Sequence, residues 1–387
     1  MDSLFDKTVI RRGTGSYKWD TPVADDVLPM WVADMDFAVA PCIQRALEKR
    51  VAHGVFGYTY VDDAYYDAVV QWFARRHAFV IDRTWILYTT GVVSAISCCI
   101  KALCMNGEKV LVQTPVYNCF FSSIRNQGCV VEENRLLRSG DSYVIDFDDF
   151  ERKCSDEKVT AFLLCNPHNP AGRAWTAGEL KRMNDICMRH NVKVIADEIH
   201  CEIVMPGYSY TPFASVSDEC LGNSVSLSSP SKAFNTAGLQ IANIVCRDAA
   251  LRRRIDRAVN IFEVCDVNPF GPVALKAAYS SEGAEWLERL NAYIHGNYTM
   301  LKDFLARHLP AVKVLRLEAT YLAWLDISGL ALASAEAWKK LLDEGRLMLS
   351  CGTEYGAVAG EGYLRMNLAC PAETLEEALR RLRKAFG

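Results

Sequence analysis

The chain has 387 residues, enough for two or three domains. Half of them are apolar and 23% charged, a globular profile that excludes a disordered polyelectrolyte. Lys plus Arg number 43 against 47 Asp plus Glu, for a net charge of −4, which excludes a phosphate-backbone binder driven by surplus basic charge. No run reaches the ~18 uninterrupted apolar residues of a membrane span; the best candidate, 91–105, is broken by Ser94, Ser97 and Lys101. The N-terminal MDSLFDKTVIRRG has no apolar core of secretory type. A cytoplasmic location is therefore expected, with neither a nucleic acid nor a membrane as partner.

The fifteen cysteines include no Cys-x-x-Cys pair, and the seven histidines no His-Glu-x-x-His. Most cysteines sit inside apolar segments, where they act as small hydrophobes kept reduced by a cytoplasmic setting. No metal site is expected.

In chain order, strands are expected at 86–90, 109–114, 160–166, 192–197, 224–228 and 240–247, all rich in Val, Ile and Leu. Several are apolar throughout, as strands buried on both faces of a parallel sheet are. Between them, Val92, Val93, Ile96, Ile100 and Leu103 line one side of a helix stopped by Asn106-Gly107, and 179–190 forms another. Strands alternating with helices predict an α/β domain with a mainly parallel sheet flanked by helices. From about Pro272 the pattern changes. Helices at 272–280 and 284–308 lead to strands at 312–317 and 321–326, a helix at 334–344, a strand at 363–368 and a charged helix at 372–386. That is the outline of a smaller α+β domain.

Ligands of open α/β sheets bind beyond the carboxyl ends of the strands. Four expected strands end there in polar residues: Thr90-Gly91-Val92-Val93, Asn166-Pro-His-Asn169-Pro-Ala-Gly172, Asp197-Glu-Ile-His200, and Ser229-Pro-Ser231-Lys232. Each has a plainer reading alone. Thr-Gly before a helix can be only a cap, Asn-Pro only a turn, the acid a cap and the lysine a solvated surface group. Together on one sheet edge they make a phosphate cradle, a carboxylate and a lysine. That set fits pyridoxal 5′-phosphate (PLP), with Lys232 as its Schiff-base partner and the carboxylate on the protonated ring nitrogen. Ser229 and Ser231 would reach the phosphate, and Asn169 would donate to the phenolic oxygen.

NPHNPAG, ADEIH and SSPSKAFN, in this order and spacing, resemble the fold-type I, class I/II aminotransferase superfamily from end to end. LPMWVADMDF (28–37), HGVFGYT (53–59), TPVYNCF (114–120), SPSKAFNTAGLQ (229–240) and ATYLAWLD (319–326) are similar to its cystathionine β-lyase branch of MalY/PatB type. The resemblance implies a large PLP-binding α/β domain over 45–275 and a small α+β domain made of 276–387 with the N-terminal segment 1–44. It makes Lys232 the base that takes the substrate Cα proton and assigns Asp197 to the pyridine nitrogen. It puts Asn169 on the phenolic oxygen and Tyr117 on the ring face beside substrate. The Gly91, Val92 and Val93 backbone with Ser229 and Ser231 would hold the phosphate. Tyr58 would reach the phosphate of a neighbouring subunit, so a homodimer with shared sites is implied. Arg365 would clamp the substrate α-carboxylate, with Ala33 of the 28–37 motif beside it; an ordinary ion pair is the alternative for Arg365.

Two positions depart from the general aminotransferase pattern: His200 stands where Tyr is usual and Gln240 where Arg is usual. Both departures are similar to the C–S lyase branch. His200 is then either a cofactor-side group or a structural hydrogen-bond partner. The expected activity is β-elimination from a thioether of cysteine, giving pyruvate, ammonia and a thiol. An aminotransferase is the alternative, and a non-catalytic protein on this fold is a third reading that Lys232, Asp197, Asn169 and Arg365 together disfavour.

Overall fold

The computed structural model describes residues 4–21 and 24–387. Residues 1–3 and 22–23, inside the N-terminal segment assigned above to the smaller domain, lie outside the described residues. The larger sheet has seven strands: β1 (Ile86–Thr89), β2 (Lys109–Thr114), β3 (Val130–Arg135), β4 (Val159–Cys165), β5 (Lys193–Asp197), β6 (Ser224–Ser228) and β7 (Ala242–Val245). Their order across the sheet is β1-β7-β6-β5-β4-β2-β3. All run parallel except β7, which is antiparallel to both β6 and β1.

The reversal of β7 follows from its connection. Parallel neighbours need a crossover of a dozen or more residues, usually a helix. The 229–241 connection between β6 and β7 is just at that lower limit and has no α-helix to carry it across a face of the sheet, only one short turn at Ala237–Leu239. The loop that carries Lys232 therefore turns straight back at the sheet's carboxyl edge.

Both faces of this sheet are covered, and β4 shows why its sequence does not alternate. Ala161, Leu163 and Cys165 pack into one apolar cluster with the Val92–Leu103 and Ala249–Ile261 helices. Val159, Phe162 and Leu164 pack into a second, with Trp175, Leu180 and Met183. The Val92–Leu103 helix ends at Cys104, three residues before the expected Gly107. The helix after β4 runs Ala177–Arg189 and begins with a capping box between Thr176 and Glu179.

The smaller sheet contains β8 (Lys313–Val314), β9 (Leu322–Asp326), β10 (Ser350–Cys351) and β11 (Tyr363–Asn367), ordered β8-β9-β11-β10. The strand expected at 312–317 shrinks to two residues because the chain leaves the sheet after them. Arg316 N donates to Asp141 O and Glu318 N to Gly172 O, carrying the backbone across to the large sheet's loops. The helices expected at 272–280 and 284–308 are Gly271–Ala278 and Ser281–His308, divided where Ser280 caps the second. Gly283 is required at that junction, since a Cβ there would lie 2.0 Å from Ala278 O.

Two helices absent from the sequence reading, Pro41–His53 and Asp63–His77, join a third apolar cluster with Phe5, the long helix and the small sheet. Leu28–Pro29 pairs in parallel with Leu347–Met348, which leads residues 31–36 toward the sheet edge where the chemistry gathers. Among the described residues no helix is long and apolar enough to cross a membrane. All fifteen cysteines are free, most of them buried in these clusters.

Candidate active site

A cavity of about 270 Å³ opens at the carboxyl edge of the large sheet. The ends of β1, β4, β5 and β6 all contribute to its wall, so the four motifs singled out in the sequence meet there. Gly91, Val92, Val93, Tyr117, Asn169, Asp197, His200, Ser229, Ser231, Lys232 and Ala33 line it. Arg365 is buried immediately behind, with Nη1 3.1 Å from Asn169 Oδ1. Tyr58 does not line it and is fully exposed in the single chain.

Lys232 is partly buried in the cavity wall, and its Nζ donates to Ala33 O at 2.8 Å. Burial, reinforced by the Arg365 charge, lowers its pKa to about 8. The Asp197 carboxyl ends β5 and accepts from Ile199 N at 3.1 Å. Burial raises its pKa to about 7, against the pull of that hydrogen bond and of the Lys232 charge. A carboxylate so placed gains from any cation or N–H that enters. Tyr117 is held un-ionised by burial, its hydroxyl pKa well above the usual value.

The helix at Val92 supplies the anion end of the cavity. It starts with no side-chain cap, so its first N–H groups remain available. Gly91 has φ 156°, and a Cβ built there would meet no protein atom within 4 Å, which leaves that volume open. Ser231 stands beside it. Ser229 Oγ instead donates to Ile241 O at 2.6 Å and accepts from Ser231 N at 3.1 Å, so its proton is spent holding the lysine loop in shape.

Two buried polar atoms here have no partner: His200 Nδ1 and Arg365 Nε. Burial keeps the His200 imidazole neutral, and its ring meets Tyr321 edge-on at 6.0 Å. Arg365 Nη2 donates to Trp31 O at 2.8 Å, and among the described residues no acid forms an ion pair with it. The uncapped helix, the open volume at Gly91, the unpaired carboxylate and the two unpartnered polar atoms all fit PLP with an amino acid above it.

Sequence reasoning missed several groups. Tyr321 Oη donates to the same Ala33 carbonyl as Lys232, at 3.0 Å. Asn235 clasps residues 35–37 through Met35 N, Met35 O and Phe37 O. Arg11, Lys18 and Trp19 hold Asp36 from the other side, with Arg11 also on Asp34. The signal was present, because Tyr321 and Asn235 sit inside two of the quoted motifs. Gln240, at the position of the missing arginine, lines the cavity with φ 47°.

Fold and site together define a PLP-dependent enzyme of fold type I. The chain belongs to the aminotransferase class I and II family, whose profile matches residues 25–382. Cystathionine β-lyase PatB of Bacillus subtilis (strain 168) is 41% identical over 386 residues, covering 99% of each chain. A PLP-bound protein of Clostridium difficile 630, described as an aminotransferase, superposes with a TM-score of 0.96 at 39% identity over 99% of each chain. The PLP-bound C–S lyase of Staphylococcus hominis gives a TM-score of 0.91 at 31% identity, over 99% of this chain and 98% of its own.

Proposed function

We propose that this chain is a PLP-dependent carbon–sulfur β-lyase that splits cystathionine or another S-conjugate of cysteine into pyruvate, ammonia and a thiol. The observation that carries the reading is full-length similarity to cystathionine β-lyase PatB, around a cavity lined by the lysine and the carboxylate with Arg365 bonded to its wall at Asn169. When bound, PLP supplies an electron sink for the pair left on the substrate Cα.

The chain's own residues do the rest. Arg365 fixes the α-carboxylate, using the Nε–H that has no protein partner. Lys232, with its pKa drawn down to about 8, holds a larger share of neutral amine near neutral pH than an ordinary lysine and takes the Cα proton. Asp197 holds a proton at the ring nitrogen. Asn169 accepts from Arg365 through Oδ1, which leaves its amide nitrogen to donate to the phenolic oxygen. Tyr117 covers the ring face. The N–H groups at the start of the Val92 helix, with Ser231, would hold the phosphate, and Ser229 braces the loop.

A second reading, an aminotransferase, draws on the description of the C. difficile structure. Both reactions begin with loss of the same proton, so the product decides. Purified protein given cystathionine, cystine, S-alkyl cysteines and plain amino acids should release pyruvate only from the sulfur-bearing ones. Lys232→Ala should release none. Equal turnover of plain amino acids would refute the reading.

We also infer that the working unit is a homodimer. Val51, Val55, Phe56, Tyr58 and Tyr60 form an exposed apolar arm on one chain. Such a patch marks an interaction surface rather than a solvated one.

A further inference from the structure

Between β10 and β11 the chain makes the short Gly352–Tyr355 turn, which sets the Tyr355 ring under Arg365. The guanidinium carbon lies 4.6 Å from the ring centroid, and both residues are buried. The edges of the guanidinium are held by Asn169 Oδ1, Trp31 O and, at 3.4 Å, Ser350 Oγ, while Nε stays free. These bonds hold the guanidinium by its edges, and the ring beneath bears on its face.

Tyr355 is itself immobilised. Trp324 meets it edge-on at 5.6 Å and 85°, and Trp324 stacks on Tyr363 at 5.0 Å and 7°. Trp324 Nε1 donates to Tyr143 Oη at 3.2 Å, which locks the indole. The Tyr355 carbonyl accepts from Val116 N at 2.8 Å. One residue thus ties the guanidinium to the segment that carries Tyr117.

We propose that Tyr355 is a positioning residue for the substrate. Its ring, clamped by Trp324, holds the Arg365 guanidinium in a single plane, so that the free Nε–H is presented to an incoming α-carboxylate. The proposal rests on the reading of Arg365 as the carboxylate clamp. A planar cation over a desolvated π face gains attraction that an aliphatic side chain of similar size does not give. Losing it weakens binding of ground state and transition state alike, which raises KM and leaves kcat in place.

The test uses the PLP-loaded enzyme with an S-alkyl cysteine and with the methyl ester of the same compound, which has no carboxylate to clamp. Tyr355→Leu should raise KM for the acid by about tenfold to thirtyfold, with kcat within about twofold of wild type. KM for the ester should not move, and Tyr355→Phe should behave as wild type. A merely structural role would weaken acid and ester together and is the result that overturns the proposal. An unchanged acid KM in Tyr355→Leu, with Arg365→Lys still losing its preference for acid over ester, overturns the Tyr355 role and leaves the clamp standing. An Arg365→Lys enzyme that keeps the preference refutes the clamp, and the proposal falls with it. If Tyr355→Leu does not fold, Tyr355→Met fills the space without a π face and is judged by the same outcomes.

Discussion

Burial moves the Lys232 ammonium down to about 8 and the Asp197 carboxyl up to about 7, and the two shifts have opposite consequences for the cofactor-free protein. A raised carboxyl pKa means that the native state binds more protons than the unfolded chain between about pH 4 and pH 7. The contribution of Asp197 to stability is therefore fully present at low pH and lost as pH rises through 7. Lys232 works in the other direction. The unfolded chain holds its proton up to about 10.4, so the contribution of Lys232 grows as pH rises from about 8. Asp197→Asn should thus melt at a higher temperature than wild type above pH 7, with the difference vanishing near pH 4. The same variant should lose at least about 100-fold in turnover with PLP, because an amide cannot hold the ring proton. A wild-type apoprotein that is the more stable of the two at pH 8 would show that Asp197 is not an unpaired buried acid.

At the scale of elements, the strand ends were readable because each puts its polar residues directly after an apolar run. Gly91, Asn169, Asp197 and Lys232 could be placed on one edge without any coordinates. Arg365 could be named only by resemblance, since its partner Trp31 O lies 334 residues away in sequence. The clasp of Asn235 on residues 35–37 was hidden for the same reason, as both depend on how the N-terminal segment crosses the sheet edge. The helices Pro41–His53 and Asp63–His77 escaped for another reason. The first buries only Ile43 among its own residues, too sparse a stripe to read as periodic. The direction of β7 was likewise invisible, being set by the loop before it and not by its own residues. The Val92 helix offers a test at this scale. Gly91→Ala would strain a backbone at φ 156° and fill the volume assigned to the phosphate. Its affinity for PLP, titrated into the cofactor-free protein, should fall at least about tenfold, beyond the ~1–3 kcal/mol such backbone strain costs. Unchanged affinity would move the phosphate elsewhere.

For the whole molecule, one chain brings the proposed cofactor and substrate groups together at the cavity yet leaves Tyr58 fully exposed on an apolar arm. Thr59 is bridged to Val267, and Phe56 packs on Phe270 at 5.5 Å, so the arm is shaped before any partner arrives. Mixing inactive Tyr58 and Lys232 variants should restore about a quarter of wild-type activity, because half the dimers are hybrids and each has one intact site. No recovery, together with an active monomer in sedimentation, would remove Tyr58 from the site. The central claim is that the electron pair left on Cα expels the Cβ thiolate and does not end in transfer of the amino group. The measurement that reaches it most directly is turnover of cystathionine or an S-alkyl cysteine by the PLP-loaded enzyme with no keto acid added, following thiol, ammonia and pyruvate together. The expected result is continuous release of all three in equal amounts. Turnover that stops after one equivalent, resumes only when a keto acid is supplied and yields no free thiol would contradict it.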